Sequence, residues 1–207
     1  MILFASLLLP VFLIGYFIIK KDKSIIMPVS IGVITALLVC LFRMFFVYAH
    51  RIIPYSFSQN FIYFILRQSV LPVFIIYGLF FLFSKDSLEY KIKMCFPLLV
   101  SFYMIYLPYI IITSSEGLYS FYPLFVKPVV FLMMIIVFSL CIEKIFDLFN
   151  NKKYVFFGLY ILLMIAYLVI PAVFDSLYII DTDIFIMSIS SIIYCILPIV
   201  YFIFRKK

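Results

Sequence analysis

Seven apolar runs, each long enough for a membrane crossing, alternate with short polar connections along the chain: Ile2–Ile19, Ile25–Tyr48, Phe61–Phe83, Met94–Thr113, Leu124–Ile142, Tyr154–Phe174 and Ile184–Phe204. A helix needs about 20 mostly apolar residues to cross a bilayer core. Inside that core its backbone polar groups must be satisfied within the segment itself. The pattern predicts an all-α integral membrane protein with seven transmembrane helices. Residues 1–207 then form a single polytopic domain, since no connection is long enough to fold as a soluble one.

Composition agrees. Hydrophobic residues make up 68% of the 207, against about half in soluble domains. The net charge of +7 would suggest nucleic acid in a soluble chain, but the cations sit in the loops. Three basic residues follow each of the first, third, fifth and seventh runs, twelve of the 16 Lys and Arg. The opposite connections carry Arg51 with the acids Glu116, Asp175, Asp181 and Asp183. The positive-inside rule places the N-terminus outside and the C-terminus in the cytoplasm. Nucleic-acid binding is not expected, whereas anionic lipid is a natural contact for the lysine-rich loops. With no basic stretch ahead of it, the first run reads as a retained span rather than a cleaved leader. The Lys- and Ile-rich, Trp-free character points to a bacterial cytoplasmic (inner) membrane.

Tryptophan is absent, so tyrosines including Tyr48, Tyr55, Tyr63, Tyr106, Tyr109, Tyr119, Tyr122 and Tyr178 are expected to form the outer interfacial belt. Prolines fall in or beside most spans (Pro10, Pro28, Pro72, Pro97, Pro128, Pro171 and Pro198), and each removes a backbone donor and favours a kink. Only five glycines argue against close small-residue helix crossings. Cys40, Cys95, Cys141 and Cys195 lie in or at the edges of apolar runs without CxxC spacing and read as packing residues.

Three spans carry charge. Arg43 sits about 7–8 Å below the outer end of the second span, Arg67 about 9 Å below that of the third, and Lys127 about 4–5 Å down the fifth, at 1.5 Å of rise per residue. Gln68 follows Arg67, and His50 with Arg51 lies just above in the loop. A cation at a span centre costs about 2.5–3.5 kcal/mol on insertion scales, so this shared shallow layer requires an explanation. Three explanations compete. Long basic side chains can snorkel to the head groups. They can pair with Glu116, Asp175, Asp181 or Asp183. Or they can line an outward-open site for a carboxylate, a phosphate or a lipid head group, oxygens that the planar guanidinium binds bidentately. The candidate ligand-binding residues are Arg43, Arg67, Gln68, Lys127 and Arg51. Serines such as Ser101, Ser190 and Ser191 are expected to bond back to their own helices.

Known catalytic signatures are missing. One histidine precludes a paired-histidine metal site, and HExxH, GxSxG and P-loop patterns do not occur. Asp and Glu are not found inside the predicted spans, which speaks against a buried carboxylate proton relay. No catalytic residue, metal or cofactor is expected, with outer-face chemistry at His50 a minor alternative. The expected function is binding or transport of an anionic solute or lipid through an outward-facing basic site. The alternative is a non-catalytic accessory or assembly subunit of a larger membrane complex, in which the same cations would meet partner subunits, including an ATPase partner.

Overall fold

The computed structural model describes residues 2–21, 23–46, 56–113, 121–180 and 182–204, with side chains outside 2–6, 46, 184 and 199–204. All regular structure among them is helical. In order come α1 (Ile2–Lys20), a 3₁₀ turn (Lys23–Ile25), α2 (Ile26–Phe46), α3 (Phe57–Phe64), a π-helical segment (Ile65–Val70) and α4 (Leu71–Phe83). There follow the short α5 (Leu88–Lys93), α6 (Cys95–Thr113), a second π segment (Tyr122–Val126), α7 (Lys127–Asn150), α8 (Tyr154–Ile179) and α9 (Ile184–Phe204). Five stretches are long and apolar enough to cross a membrane: Lys23–Phe45, Phe57–Phe83, Cys95–Thr113, Tyr122–Asn150 and Tyr154–Ile179. Leu7–Lys20 and Phe185–Pro198 are shorter apolar helices at either flank. A multi-pass membrane bundle is therefore the architecture, and the outward apolar faces of α1, α2 and α9 are what lipid would cover.

α6 is the central post. Leu98, Leu99, Val100, Ser101, Phe102 and Tyr103 are all fully buried, so successive residues on every side of the helix meet protein. α1, α2, α4 and α7 pack around it, and a second core joins α7, α8 and α9 through Val137, Cys141, Tyr167 and Tyr194. α2 approaches α6 with its small residues Gly32, Thr35 and Ala36. A Cβ at Gly32 would lie 2.6 Å from the Leu98 carbonyl oxygen, so this crossing is close despite the scarcity of glycine. The four cysteines are free. Ser101, Ser190 and Ser191 bond to carbonyls of their own helices, the local role expected of them.

The loops at one end converge. Glu143 of α7 feels the charges of Lys20, Lys93 and Lys144, and the Tyr90 hydroxyl donates to the Ser24 carbonyl at 2.7 Å. This is the lysine-rich end. α5 starts at Ser87, whose hydroxyl accepts from the Tyr90 amide, and the hydrogen bond and charge of Lys93 hold the exposed Glu89 carboxyl below its ordinary range. Lys91, although it lies in a lysine-rich connection, is buried. Its ammonium donates to the Phe81 carbonyl at 3.3 Å and lies 4.8 Å from the Phe81 ring. That carbonyl belongs to the last turn of α4, where no intrahelical donor remains and a cation suits the helix dipole.

Two helix boundaries move in an informative way. α7 continues past Ile142 to Asn150, because Glu143, Lys144 and Asp147 can extend the helix into water. α8 continues past Phe174 to Ile179 and buries Asp175 within the bundle. A carboxylate therefore does sit inside a span, contrary to the expectation from sequence. It is tolerated there because it finds a cation and a hydroxyl.

Candidate functional site

The polar residues of the third helix coincide with a change of helix type, and the cause is Pro72. In an α-helix the amide of residue 72 would bond to the Gln68 carbonyl, but proline has no N–H and its ring crowds that oxygen. The backbone widens instead: the Leu71 amide reaches back five residues to the Leu66 carbonyl, the π pattern. Two carbonyls are thus deprived of their α-helical donors, Arg67 because Leu71 bonds elsewhere and Gln68 because residue 72 is proline. Both are satisfied from α6. Tyr106 donates to the Arg67 carbonyl at 2.7 Å and Tyr103 to the Gln68 carbonyl at 2.8 Å. The second π segment repeats the device. The Lys127 amide reaches back five residues to the Tyr122 carbonyl, and Pro128 follows.

A prediction arises here. Tyr103→Phe leaves a buried carbonyl without a donor and should cost about 1–3 kcal/mol. In a Pro72→Ala background, residue 72 has an amide that can serve the Gln68 carbonyl, and the same substitution should cost much less. A double-mutant cycle on thermal unfolding in detergent reads the coupling. Additive costs would show that Tyr103 does not serve the proline-orphaned carbonyl.

Tyr106 also joins the two arginines. Arg43, from the last turn of α2, donates through Nη1 to the Tyr106 hydroxyl at 2.6 Å, and that hydroxyl in turn donates to the Arg67 carbonyl. The Arg43 guanidinium lies 5.3 Å from the Tyr106 ring centroid and 5.6 Å from that of Tyr109. The Arg67 guanidinium lies 4.7 Å from the Tyr63 ring. Aromatic faces of this kind stabilise a cation by about 0.5–2 kcal/mol. The two arginines are close enough for their charges to interact. Both are half-buried, and among the described residues neither forms an ion pair with a carboxylate. The Arg43 Nε is buried without a protein acceptor.

Lys127 is placed differently. Its ammonium lies 2.8 Å from the Asp175 carboxylate, and Tyr122 donates to the other carboxylate oxygen at 2.8 Å. Both charged side chains are more than nine-tenths buried. The Phe64 and Phe131 rings flank the ammonium at 5.8 and 6.0 Å, and Tyr122 stacks on Tyr178 at 4.7 Å. Gln68 is buried, and its side-chain oxygen has no protein partner. Arg51 lies outside the described residues, as do His50, Glu116 and Asp181. Asp183 accepts from the Phe185 amide at 2.9 Å and so caps α9.

The tyrosines expected at the interface split accordingly. Tyr106 and Tyr122 are buried and bonded to the charged groups, while Tyr63 and Tyr109 lie against the arginines. Tyr48, Tyr55 and Tyr119 fall outside the described residues. The hydrogen-bonding roles of Tyr103, Tyr106 and Tyr122 were not legible in the sequence, whereas Asp175 is one of the four acids expected as partners for the cations and is the one that pairs with Lys127. The available signal was the repeated Val-X-Pro, Val70-Leu71-Pro72 and Val126-Lys127-Pro128, which marks both places where the backbone needs outside donors or a wider turn. The arrangement holds two arginines without a carboxylate partner among the described residues, and beside them stands a neutralised pair that fastens α7 to α8. No protein-family model matches the chain, and neither a curated protein nor a solved structure matches it.

Proposed function

We propose that this chain binds an anionic solute or lipid head group at an outward-facing basic site centred on Arg43 and Arg67, as a step in its binding or transport. The observation that carries this reading is that two half-buried arginines from different helices, Arg43 through its guanidinium and Arg67 through its backbone carbonyl, share the Tyr106 hydroxyl, feel one another's charge and have no carboxylate partner among the described residues. A phosphate or carboxylate would accept from the free N–H groups, including the buried Arg43 Nε, in the bidentate geometry that arginine favours. Lys127 is already held and neutralised by Asp175, so steering falls to Arg51. Gln68 would meet a hydroxyl of the ligand rather than its anionic group, since its unpartnered side-chain atom is an acceptor oxygen. The topology that goes with this is seven spans, with the N-terminus outside and the C-terminus in the cytoplasm of a bacterial cell. The site then faces the outer leaflet.

The test is thermal unfolding of the purified protein in non-ionic detergent with inorganic phosphate, phosphatidylglycerol or phosphatidylcholine added. A ligand at 100 times its Kd stabilises by about 2.7 kcal/mol. Phosphate alone raising the Tm identifies a solute site. Stabilisation by phosphatidylglycerol only identifies a lipid head group. Arg67→Gln should abolish either effect, and Arg67→Lys should weaken it because the fork is lost. A wild-type protein stabilised by none of the three, or an Arg67→Gln variant stabilised as well as wild type, would sink the reading. Stoichiometric co-purification of other subunits would then favour the accessory-subunit alternative.

A further inference from the structure

A crevice of about 650 Å³ lies between α4, α7 and α8, away from the arginines. Its origin is the same backbone device. α3 and the first π segment pack against α8, but beyond Pro72 the chain turns so that α4 packs against α2 and α6. α4 and α8 therefore diverge towards the lysine-rich end, with α7 between them. The crevice begins at Val70 and Leu168 and reaches Phe149 and Phe157, beside the α7–α8 turn. Its lining is apolar except for Tyr77, whose hydroxyl is engaged by Cys95. Nothing in it would hold a polar solute. Phe74 and Phe149 at its rim are 69% and 58% exposed, so it opens sideways, within stretches apolar enough to cross a membrane.

We infer that this crevice seats an acyl chain of an anionic phospholipid from the leaflet at the lysine-rich end, with the lipid phosphate held by Lys152 and Lys153. The charge pattern at its mouth favours an anionic lipid. Lys93 and Lys144 are paired with Glu89 and Asp147, whereas Lys152 and Lys153 are exposed and in no ion pair among the described residues. Both stand on the tight turn that ends α7, whose amides return to the Phe149 and Leu148 carbonyls. That turn is next to Phe149 and Phe157 at the end of the crevice. Each lysine near an anionic surface contributes about 1 kcal/mol, so a lipid that fills the crevice and meets both lysines is selected over a zwitterionic one of equal chain length.

The chain contains no tryptophan, so one introduced tryptophan reports alone. Phe157 lines the crevice, while its neighbour Phe156 does not and is 57% exposed. Phe157→Trp and Phe156→Trp proteins are reconstituted with phosphatidylglycerol or phosphatidylcholine carrying brominated acyl chains, and fluorescence quenching is followed against mole fraction. Half-quenching of the Phe157→Trp protein is expected at a mole fraction of phosphatidylglycerol at least about fivefold lower than of phosphatidylcholine, the equivalent of one lysine contact. The Phe156→Trp protein should show no such preference. Lys152→Gly with Lys153→Gln should bring the two Phe157→Trp curves together. The fold tolerates this change, because Lys152 has φ 57°, a conformation that suits glycine. Equal curves for the two lipids at Phe157→Trp, the same preference at Phe156→Trp, or a preference that survives loss of both lysines would each overturn the inference. None of these residues belongs to the Arg43–Arg67 site, so failure here leaves the proposed function standing.

Discussion

Removing one member of the Lys127–Asp175 pair is expected to destabilise the protein by about 3–5 kcal/mol, and removing both by less than either single change. The ammonium and carboxylate are 2.8 Å apart and both more than nine-tenths buried, in a bundle whose other neighbours are aromatic. Lys127→Met keeps much of the volume between Phe64 and Phe131 but leaves the carboxylate with only the Tyr122 hydroxyl. Asp175→Leu leaves both the ammonium and that hydroxyl without an acceptor. In the double variant the uncompensated charge is gone and only Tyr122 is orphaned, a cost of about 1–3 kcal/mol. Adding Tyr122→Phe should recover part of that as well. Wild type and the four variants are compared by thermal and denaturant unfolding in the same detergent. If the double variant is less stable than either single one, the pair fastens α7 to α8 more strongly than desolvation arguments allow. A full sum of the two single costs would show that Lys127 and Asp175 act independently.

Much of this architecture is written in the hydrophobic pattern, because helix length in a membrane is set by bilayer thickness and not by subtle packing. The apolar runs and the helices agree closely at Cys95–Thr113 and Tyr154. The pattern is blind where polar groups satisfy one another. Asp175 reads as one of four loop acids able to pair with the cations, but hydropathy counts its charge and cannot show that it lies inside a helix against Lys127, 48 positions earlier in the chain. Arg43 and Arg67 are legible as anomalies, but their meeting point is Tyr106, which looks from sequence like one more interfacial tyrosine. The prolines were visible as kinks. What they imply, a carbonyl in need of an outside hydroxyl, becomes readable only once α6 is known to stand beside Pro72. Gly32 illustrates the reverse error. A count of glycines describes the average helix contact and says nothing about a single position where two backbones nearly touch.

That position should respond most sharply to a single added methyl. A Cβ at Gly32 would be 2.6 Å from the Leu98 carbonyl oxygen and 3.2 Å from the Phe102 amide nitrogen, and closer still to the Ser101 hydroxyl. The serine can rotate, but the carbonyl and amide belong to the backbone of α6, which is buried on every side here. Relief requires α2 to move away, which opens the contacts of Thr35 and Ala36 on the same face. Overpacking of a tight core costs about 1–3 kcal/mol, and Gly32→Ala is expected at the upper end, with Gly32→Val beyond it. Ser101→Gly in the Gly32→Ala background should restore only part of the loss, since it removes the hydroxyl but not the Leu98 oxygen. Gly15, Gly78 and Gly158 are the internal controls. All three are helical and have nothing within 4 Å of an added Cβ, so alanine there should stabilise by about 0.4–1 kcal/mol through the lost freedom of the unfolded chain. The same substitution thus changes sign between Gly32 and the other three, and thermal unfolding of the four alanine variants reads it directly. A neutral Gly32→Ala would mean that α2 and α6 stand further apart than the 2.6 Å approach implies.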